Sequence, residues 1–191
     1  MQLLEEVIRE QGAVLPGGIL KVGSFLNQQI DTELLREIGK EIARLYDGAG
    51  VNKILTIESS GIAIAAAAGL ERGVPVVFAK KHKTSNVDGE VYSTVVHSFT
   101  HNADYNVVVS SDYLTSDDKV LLVDDFLAMG NALRGLIDLT EQAGAGLAGV
   151  AVAIEKRFQG GGDAVRAEGI RVEPLACIES VGDDCVNFCS I

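Results

Sequence analysis

The chain has 191 residues, which is long enough to bury about 70% of its unfolded surface in one core, so a single domain over residues 1–191 is expected. The net charge of -11 argues against nucleic acid as a partner, and the apolar stretch at 62–70 is too short to span a bilayer. The first residues also lack the basic and apolar layout of a signal peptide, so we expect a cytoplasmic protein with no membrane partner.

The predicted elements alternate between helices and strands along the chain. A helix over residues 3–11 precedes a short apolar segment at 19–22, and a helix over 32–46 follows Asp31, which is placed to cap it. In order, the later elements are a strand at 53–57, a helix from 62 through 69, strands at 74–79, 90–99, 105–110 and 120–123, a helix at 133–143, and strands at 146–155 and 171–178. This alternation predicts an α/β fold with a mostly parallel central sheet flanked by helices, and the two strands around residues 100–104 predict an inserted antiparallel hairpin.

A short polar loop follows the strand at 53–57 and precedes the next helix. It consists of Glu58, Ser59, Ser60 and Gly61. Its amides and hydroxyls are placed to bind an oxyanion at the start of that helix. The same residues are also typical of an ordinary helix cap, so the loop alone does not decide between the two functions.

Three lysines supply local positive charge after the strand at 74–79: Lys80, Lys81 and Lys83. The residues that follow, 85–89, are polar and contain a glycine, which is typical of a mobile loop. A phosphorylated ligand needs such charge in an acidic chain, and Lys81 is the candidate for that contact. The alternative is a solvated basic turn.

The segment 120–132 carries the strongest functional signal. Its four apolar residues at 120–123 indicate a buried strand, and Asp124 and Asp125 come directly after it. Two carboxylates at the carboxyl end of a strand, where open α/β sheets bind ligands, suit a pair of neighbouring hydroxyl groups. The turn that opens the next helix consists of Ala128, Met129, Gly130, Asn131 and Ala132. Free amides at a helix start attract a phosphate, so the segment favours a ribose 5-phosphate site over the alternative of a solvated turn with an N-cap.

This segment closely resembles the motif with which type I phosphoribosyltransferases bind 5-phosphoribosyl 1-diphosphate (PRPP). The resemblance implies the fold of that family, with a small N-terminal hood (residues 1–35) and an inserted hairpin beside a flexible loop. It implies that Asp124 and Asp125 bind the ribose hydroxyls and that residues 128–132 hold the 5-phosphate. Residues 58–61 and Lys81 would hold the diphosphate. It also implies Mg²⁺ carried by PRPP, with no direct protein ligand, and a homodimer.

A further resemblance narrows the family to its xanthine-using subgroup and lies in the segments 20–31, 56–63 and 154–159. It implies that Leu20 and Asn27 of the hood and Lys156 at a strand end bind xanthine. Xanthine has two ring carbonyls, to which the Lys156 ammonium offers three N–H donors. The expected reaction transfers the phosphoribosyl group of PRPP to N9 of xanthine and yields xanthosine 5'-monophosphate and diphosphate, a step of purine salvage. Guanine and hypoxanthine stay open as bases, Lys156 disfavours adenine, and no general acid or base is assigned.

Two hypotheses from other functional classes compete with an enzyme. A PRPP-sensing regulator on the same fold would need a basic DNA-binding segment, whereas the residues before 31 are few and acidic. A nucleotide-binding module would bind PRPP without releasing diphosphate.

The cysteines Cys177, Cys185 and Cys189 are odd in number, lie late in the chain and have no nearby histidine. Their spacing lacks the paired short knuckles of a structural zinc site. We therefore expect three free thiols in a reducing cytoplasm.

Overall fold

The computed structural model describes residues 1–15, 19–81, 89–98, 103–182 and 185–189. Within them the helices are α1 (Gln2–Gln11), α2 (Thr32–Leu45), α3 (Gly61–Arg72), α4 (Asn131–Gln142) and α5 (Gly161–Ala167). The strands are β1 (Ala13–Leu15), β2 (Ile19–Lys21), β3 (Lys53–Ile57), β4 (Val76–Ala79), β5 (Val91–Ser98), β6 (Ala103–Ser110), β7 (Lys119–Leu127), β8 (Gly146–Lys156), β9 (Val172–Val181) and β10 (Val186–Phe188). A π-helical turn covers Gly23–Asn27 and a 3₁₀ turn covers Arg157–Gln159. None of the helices in these described ranges is long and apolar enough to cross a membrane.

A six-stranded sheet with the order β10–β9–β8–β7–β3–β4 forms the centre of the fold. The pairs β9–β8, β8–β7, β7–β3 and β3–β4 are parallel, and β10 is antiparallel to its neighbour. β1 pairs with β2, and β5 with β6, in separate antiparallel hairpins. The prediction of an α/β fold with a mostly parallel sheet and an inserted hairpin is therefore confirmed.

The apolar run of β7 is buried because helices cover both faces of the sheet. On one face, Leu121 and Val123 pack with α1, α2 and α3. On the other face, Val120 and Leu122 pack with α4, α5 and the β5–β6 hairpin. The amphipathic helix α2 begins after Asp31, which caps it as predicted. The Asp31 carboxylate accepts hydrogen bonds from the Glu33 and Leu34 amides at 3.0 and 3.1 Å.

Besides its apolar packing, the β5–β6 hairpin is joined to the rest of the fold by backbone and side-chain hydrogen bonds. β6 forms an isolated bridge with the residue that follows β4. On β5, the Ser93 backbone exchanges two hydrogen bonds with the Gln142 side chain at 3.1 and 3.2 Å. The Asn131 side chain donates a third hydrogen bond to the His97 carbonyl at 3.0 Å. The hairpin is thus attached to both ends of α4.

The strand order places a crevice between β3 and β7. The chain passes from β3 to β4 on one side, and then through the hairpin to β7 on the other side of β3. In such sheets ligands bind outside the carboxyl ends of the strands at the point where the order reverses. The loop at 58–61 and the end of β7 therefore share one edge of the sheet.

The end of β7 differs from the prediction. β7 continues to Leu127 because its pairing with β8 continues, so Asp124 and Asp125 lie within the strand rather than after it. The predicted mobile loop at 85–89 lies outside the described residues apart from Gly89. Lys83 and most of the turn between the hairpin strands also lie outside the described ranges.

The C-terminal cysteines correct the expectation of three free thiols, because Cys177 and Cys189 form a disulfide. β10 runs antiparallel to β9 and brings their Cα atoms to 5.4 Å, although they are 12 residues apart. The Cys189 amide also donates to the Cys177 carbonyl at 2.8 Å. Cys185 is free and exposed. The expectation was wrong because the pairing depends on β10, which the sequence pattern does not predict.

Candidate substrate-binding site

Asp124 and Asp125 lie near the end of β7, with only 8% of each residue exposed. One oxygen of each carboxylate is held by the backbone. Asp124 Oδ1 accepts from the Asp125 amide, and Asp125 Oδ1 accepts from the Phe126 amide, both at 2.9 Å. Asp125 Oδ2 accepts a hydrogen bond from the Asn27 side chain at 3.4 Å. Fixed carboxylates with remaining acceptor capacity suit a ligand that carries hydroxyl donors.

The electrostatics of this acid pair are unfavourable without a ligand. Burial and the neighbouring Asp125 raise the pKa of the Asp124 carboxyl well above its usual value, and the Lys81 ammonium opposes the rise. Two adjacent carboxylates in a poorly solvated site repel each other when both are charged. A ligand that donates hydrogen bonds or brings positive charge would favour the ionised form of Asp124.

The turn after β7 leads into α4 and leaves the first amides of that helix without a side-chain cap. Gly130, the residue before α4, has a φ of 87°, a left-handed conformation that suits glycine. Uncapped amides at a helix start attract an anion. Residues 128–132 all line a cavity of about 600 Å³. The turn therefore has the geometry expected of a phosphate-binding loop.

The same cavity reaches Lys156 at the end of β8. The Lys156 ammonium lies 5.4 Å from the centroid of the Phe126 ring, and burial lowers the pKa of this lysine. Besides residues 128–132, the lining comprises Ile19, Phe126, Leu127, Leu133, Lys156 and Gln159. Apolar walls with a few polar groups are typical of small-molecule sites. An ammonium donor and an anion site in one cavity suit a planar polar base joined to a phosphate.

The N-terminal segment meets the sheet at this edge. Asn27 contacts the acid pair, and Ile19 lines the cavity with 53% of the residue exposed. Leu20, the predicted contact of the base, instead packs in the core and is not among the lining residues. Adjacent residues of a strand point to opposite faces, so Ile19 and Leu20 face different surroundings. The alternation in β2 is the signal that would have indicated Ile19.

The loop at 58–61 lies at the start of α3, on the other side of the crevice. Glu58 Oε1 accepts a hydrogen bond from the Lys81 amide at 2.5 Å, which joins this loop to the lysine cluster. The Glu58–Ser59 peptide bond is cis. Ser60 stands at the N-cap position and makes no side-chain cap hydrogen bond. The Ile62 amide donates to the Ser59 carbonyl at 3.2 Å, so the loop caps α3 through its backbone and the Ser60 side chain does not take part. Helix starts of this kind attract anions.

Gly61 brings this loop into contact with the acid pair. A Cβ atom added to Gly61 would lie 2.7 Å from Asp124 Oδ1 and would overlap Thr56 Oγ1. Thr56 is fully buried, and its hydroxyl has no hydrogen-bond partner among the described residues. The loop at 58–61 thus meets the side chains of Thr56 and Asp124 where only a hydrogen atom fits.

Gly61→Ala is expected to displace the Asp124 carboxylate and to lower the free energy of unfolding by about 1–3 kcal/mol, as overpacking does. Urea denaturation measures this change. Gly146→Ala is the matched control, because a Cβ atom there meets nothing closer than 3.6 Å. Equal unfolding free energies for the two variants would contradict the close contact.

The sequence is similar to phosphoribosyltransferases over nearly its whole length. The family model described as "Phosphoribosyl transferase domain" matches residues 22–164. The xanthine phosphoribosyltransferase of Lachnoclostridium phytofermentans is 51% identical over 181 residues, which is 95% of this chain and 93% of that protein. That of Bifidobacterium longum is 52% identical over 185 residues, 96% of either protein. That of Pseudomonas savastanoi pv. phaseolicola is 50% identical over 188 residues, 98% of this chain and 100% of the relative.

Solved adenine phosphoribosyltransferases are similar in structure at lower identity. The enzyme of Thermoanaerobacter pseudethanolicus gives a TM-score of 0.74 at 20% identity and covers 91% of this chain and 99% of its own. The enzyme of Trypanosoma brucei, in complex with AMP, pyrophosphate and ribose-5-phosphate, gives 0.77 at 19% identity and covers 95% of this chain and 83% of its own. At this identity the likeness shows the fold alone.

Proposed function

The chain belongs to the phosphoribosyl transferase family, and from that premise we propose that it is a xanthine phosphoribosyltransferase. It transfers the 5-phosphoribosyl group of PRPP to N9 of xanthine and yields xanthosine 5'-monophosphate and diphosphate. The observation that carries this function is the identity of about half the residues, over nearly the full length, with enzymes of that name. The single cavity shared by Lys156 and residues 128–132 supports it.

PRPP would bind along the end of β7. In this proposal Asp124 and Asp125 accept hydrogen bonds from the ribose hydroxyls, and the amides of residues 128–132 bind the 5-phosphate. The supporting observations are the fixed carboxylates and the uncapped start of α4. The side chains of Met129 and Asn131 are compatible with this role, because the amides of the main chain make the contact.

Xanthine would bind at the Lys156 end of the cavity. The Lys156 ammonium donates to a ring carbonyl. Asn27, whose side chain donates to Asp125, can both donate to and accept from the base. Ile19 supplies an apolar wall. The role of Leu20 stays a prediction of the family resemblance, and in the structure its side chain packs in the core.

The diphosphate would bind at residues 58–61 and Lys81. The start of α3, which has no side-chain cap, and the lysine charge favour an anion there. Mg²⁺ prefers oxygen ligands and usually combines one or two carboxylates with waters and substrate phosphates. In this proposal PRPP carries the Mg²⁺, and substrate phosphate oxygens and waters supply its ligands. When bound with PRPP, Mg²⁺ would neutralise part of the charge on the diphosphate.

Catalysis in this proposal comes from positioning. Residues 128–132 fix the sugar phosphate and Lys156 fixes the base, so that N9 and the anomeric carbon are held in line and react as in a unimolecular step. The amides of residues 58–61 stabilise the charge that develops on the departing diphosphate. Exclusion of water protects the electron-poor sugar from hydrolysis. No side chain is assigned as a general base.

Diphosphate release from PRPP and Mg²⁺ tests the function when xanthine, guanine, hypoxanthine and adenine are supplied separately. We expect release with xanthine to exceed release with each other purine by about tenfold or more, because a polar pocket rejects a base that leaves its groups unpaired. Preference for another base would retain the reaction and overturn the assignment of xanthine. PRPP binding without release for any purine would favour a binding module or a regulator.

We also propose that the enzyme acts in the cytoplasm as a homodimer. Both proposals rest on the family resemblance. Sedimentation equilibrium of the purified chain tests the dimer, and a mass of one chain would contradict it.

A further inference from the structure

An ion pair between a buried carboxylate and a partly exposed arginine lies beside the proposed site. Glu155 directly precedes Lys156 at the end of β8 and is 0% exposed. Its two carboxylate oxygens accept hydrogen bonds from Nη1 and Nη2 of Arg166, both at 2.7 Å. Arg166 lies on α5 and also donates to the Val172 carbonyl at 3.3 Å. This two-pronged contact fixes α5 on the end of β8.

The ion pair supports the turn that connects Lys156 with α5. We call residues 157–162 the connecting turn; it comprises the 3₁₀ turn, Gly160 and the first two residues of α5. At its end, a Cβ atom added to Gly162 would overlap Glu155 Oε1 and lie 2.8 Å from Arg166 Nη1. The backbone of the connecting turn therefore rests directly on both charged groups.

The other side of the connecting turn touches the turn after β7. The Gly161 amide donates to the Ala128 carbonyl at 3.2 Å. A Cβ atom added to Gly161 would lie 2.5 Å from the Met129 carbonyl carbon and 2.6 Å from the Gly130 nitrogen. The connecting turn is thus wedged between the ion pair and the proposed phosphate loop.

We propose that Glu155 and Arg166 are positioning residues that set the spacing between the base site and the 5-phosphate site. Lys156 stands at the start of the connecting turn, and Gly161, which braces the phosphate loop, stands near its end. An ion pair that fixes this turn fixes both sites relative to each other. The inference deepens the proposed function and rests on it.

The conservative variant Arg166→Lys separates positioning from folding. A buried carboxylate without a partner would destabilise the protein strongly, and lysine keeps the compensating charge. Lysine lacks the planar fork that binds both oxygens of Glu155. The matched control is Glu168→Gln, just after α5. It removes the Arg134–Glu168 ion pair, which has the same 2.7 Å length and whose two side chains are each about half exposed.

The experiment measures two dissociation constants by calorimetry, with ribose 5-phosphate and with diphosphate as probes, and KM for xanthine by kinetics. In Arg166→Lys we expect the Kd of ribose 5-phosphate and the KM of xanthine both to rise about tenfold or more, since small displacements in such sites have large effects. The Kd of diphosphate should stay at the wild-type value, because residues 58–61 lie across the crevice. Glu168→Gln should leave all three values unchanged.

If the Kd of ribose 5-phosphate and the KM of xanthine are unchanged while Tm falls, the ion pair only stabilises the fold, and the inference is overturned. A rise for only one of them, or an equal loss of diphosphate affinity, would overturn it as well. A second variant, Glu155→Gln with Arg166→Gln, removes both charges together and should show the same two increases. If the wild-type chain forms no xanthosine 5'-monophosphate, the proposed function fails, while the ribose 5-phosphate measurement still tests the spacing of the phosphate loop.

Discussion

Replacing Asp124 and Asp125 together by asparagine is expected to weaken PRPP binding by about 100-fold or more, because hydrogen bonds to charged groups of about 1.5–3 kcal/mol each are lost. Asparagine keeps an oxygen for the two backbone amides that now bind the carboxylates. The end of β7 should therefore retain its shape while the charges disappear. Calorimetric titration with PRPP and Mg²⁺ measures the change.

Asp138→Asn provides the control for this pair, since Asp138 lies on α4 and is not among the residues that line the proposed cavity. It removes one negative charge from the same half of the molecule. We expect its PRPP affinity to match the wild type. Retained affinity in the double variant would instead make the acid pair a structural feature.

The acid pair also shapes the pH dependence of stability. The pKa of Asp124 is raised in the folded state above the usual value of 3.8. The folded state therefore binds this proton more tightly than the unfolded state does. Consequently Asp124 contributes more to folding as the pH falls from above its raised pKa toward its ordinary pKa. Asparagine removes this contribution, so denaturation of the double variant should depend less on pH in that window.

Lys156→Ala is expected to lower kcat/KM for xanthine by about 10-fold to 100-fold, because a charged donor to a ring carbonyl is lost. The Kd of PRPP should stay near the wild-type value, since the acid pair and residues 128–132 are unchanged. Burial lowers the pKa of Lys156, so its ammonium loses a proton at a lower pH than an exposed lysine would. As the pH rises, the wild-type preference for xanthine should therefore weaken earlier than it would with an exposed lysine. Initial rates with xanthine and guanine measure the preference.

Lys119→Ala is the matched control for the lysine variant, because Lys119 is exposed at the start of β7, at the opposite end of the strand from the site. Lys119→Ala should leave both kcat/KM for xanthine and the Kd of PRPP at their wild-type values. An unchanged base preference in Lys156→Ala would remove Lys156 from the base site.

Local patterns predict much of this molecule because they depend on neighbours in sequence. The apolar run of β7, the two aspartates and the glycine-bearing turn occur in order within a few residues, and the structure places them at one edge of the sheet. Asp31 caps α2 as predicted, because capping involves only the next three residues. The alternation of helices and strands likewise predicts the parallel sheet.

Contacts between distant segments account for what the sequence does not reveal. Asn27 and Asp125 are 98 residues apart, and only the family resemblance indicated that both belong to one site. The choice between Ile19 and Leu20 depends on which face of β2 meets the cavity. The disulfide depends on how β10 returns to β9. The Glu155–Arg166 contact depends on the path of the three consecutive glycines at 160–162, and no hydrophobic periodicity in the sequence predicts that path.

The attachment of the β5–β6 hairpin has a consequence for local unfolding. A two-stranded ribbon is marginally stable by itself, so the hairpin depends on its apolar packing, on its bridge to the residue after β4 and on its hydrogen bonds to α4. Such contacts can break while the six-stranded sheet stays intact. Opening would free the Asn131 side chain, at the first residue of α4, from the His97 carbonyl. Fraying of a surface ribbon would thus reach the start of the helix beside residues 128–132 without any rearrangement of the central sheet.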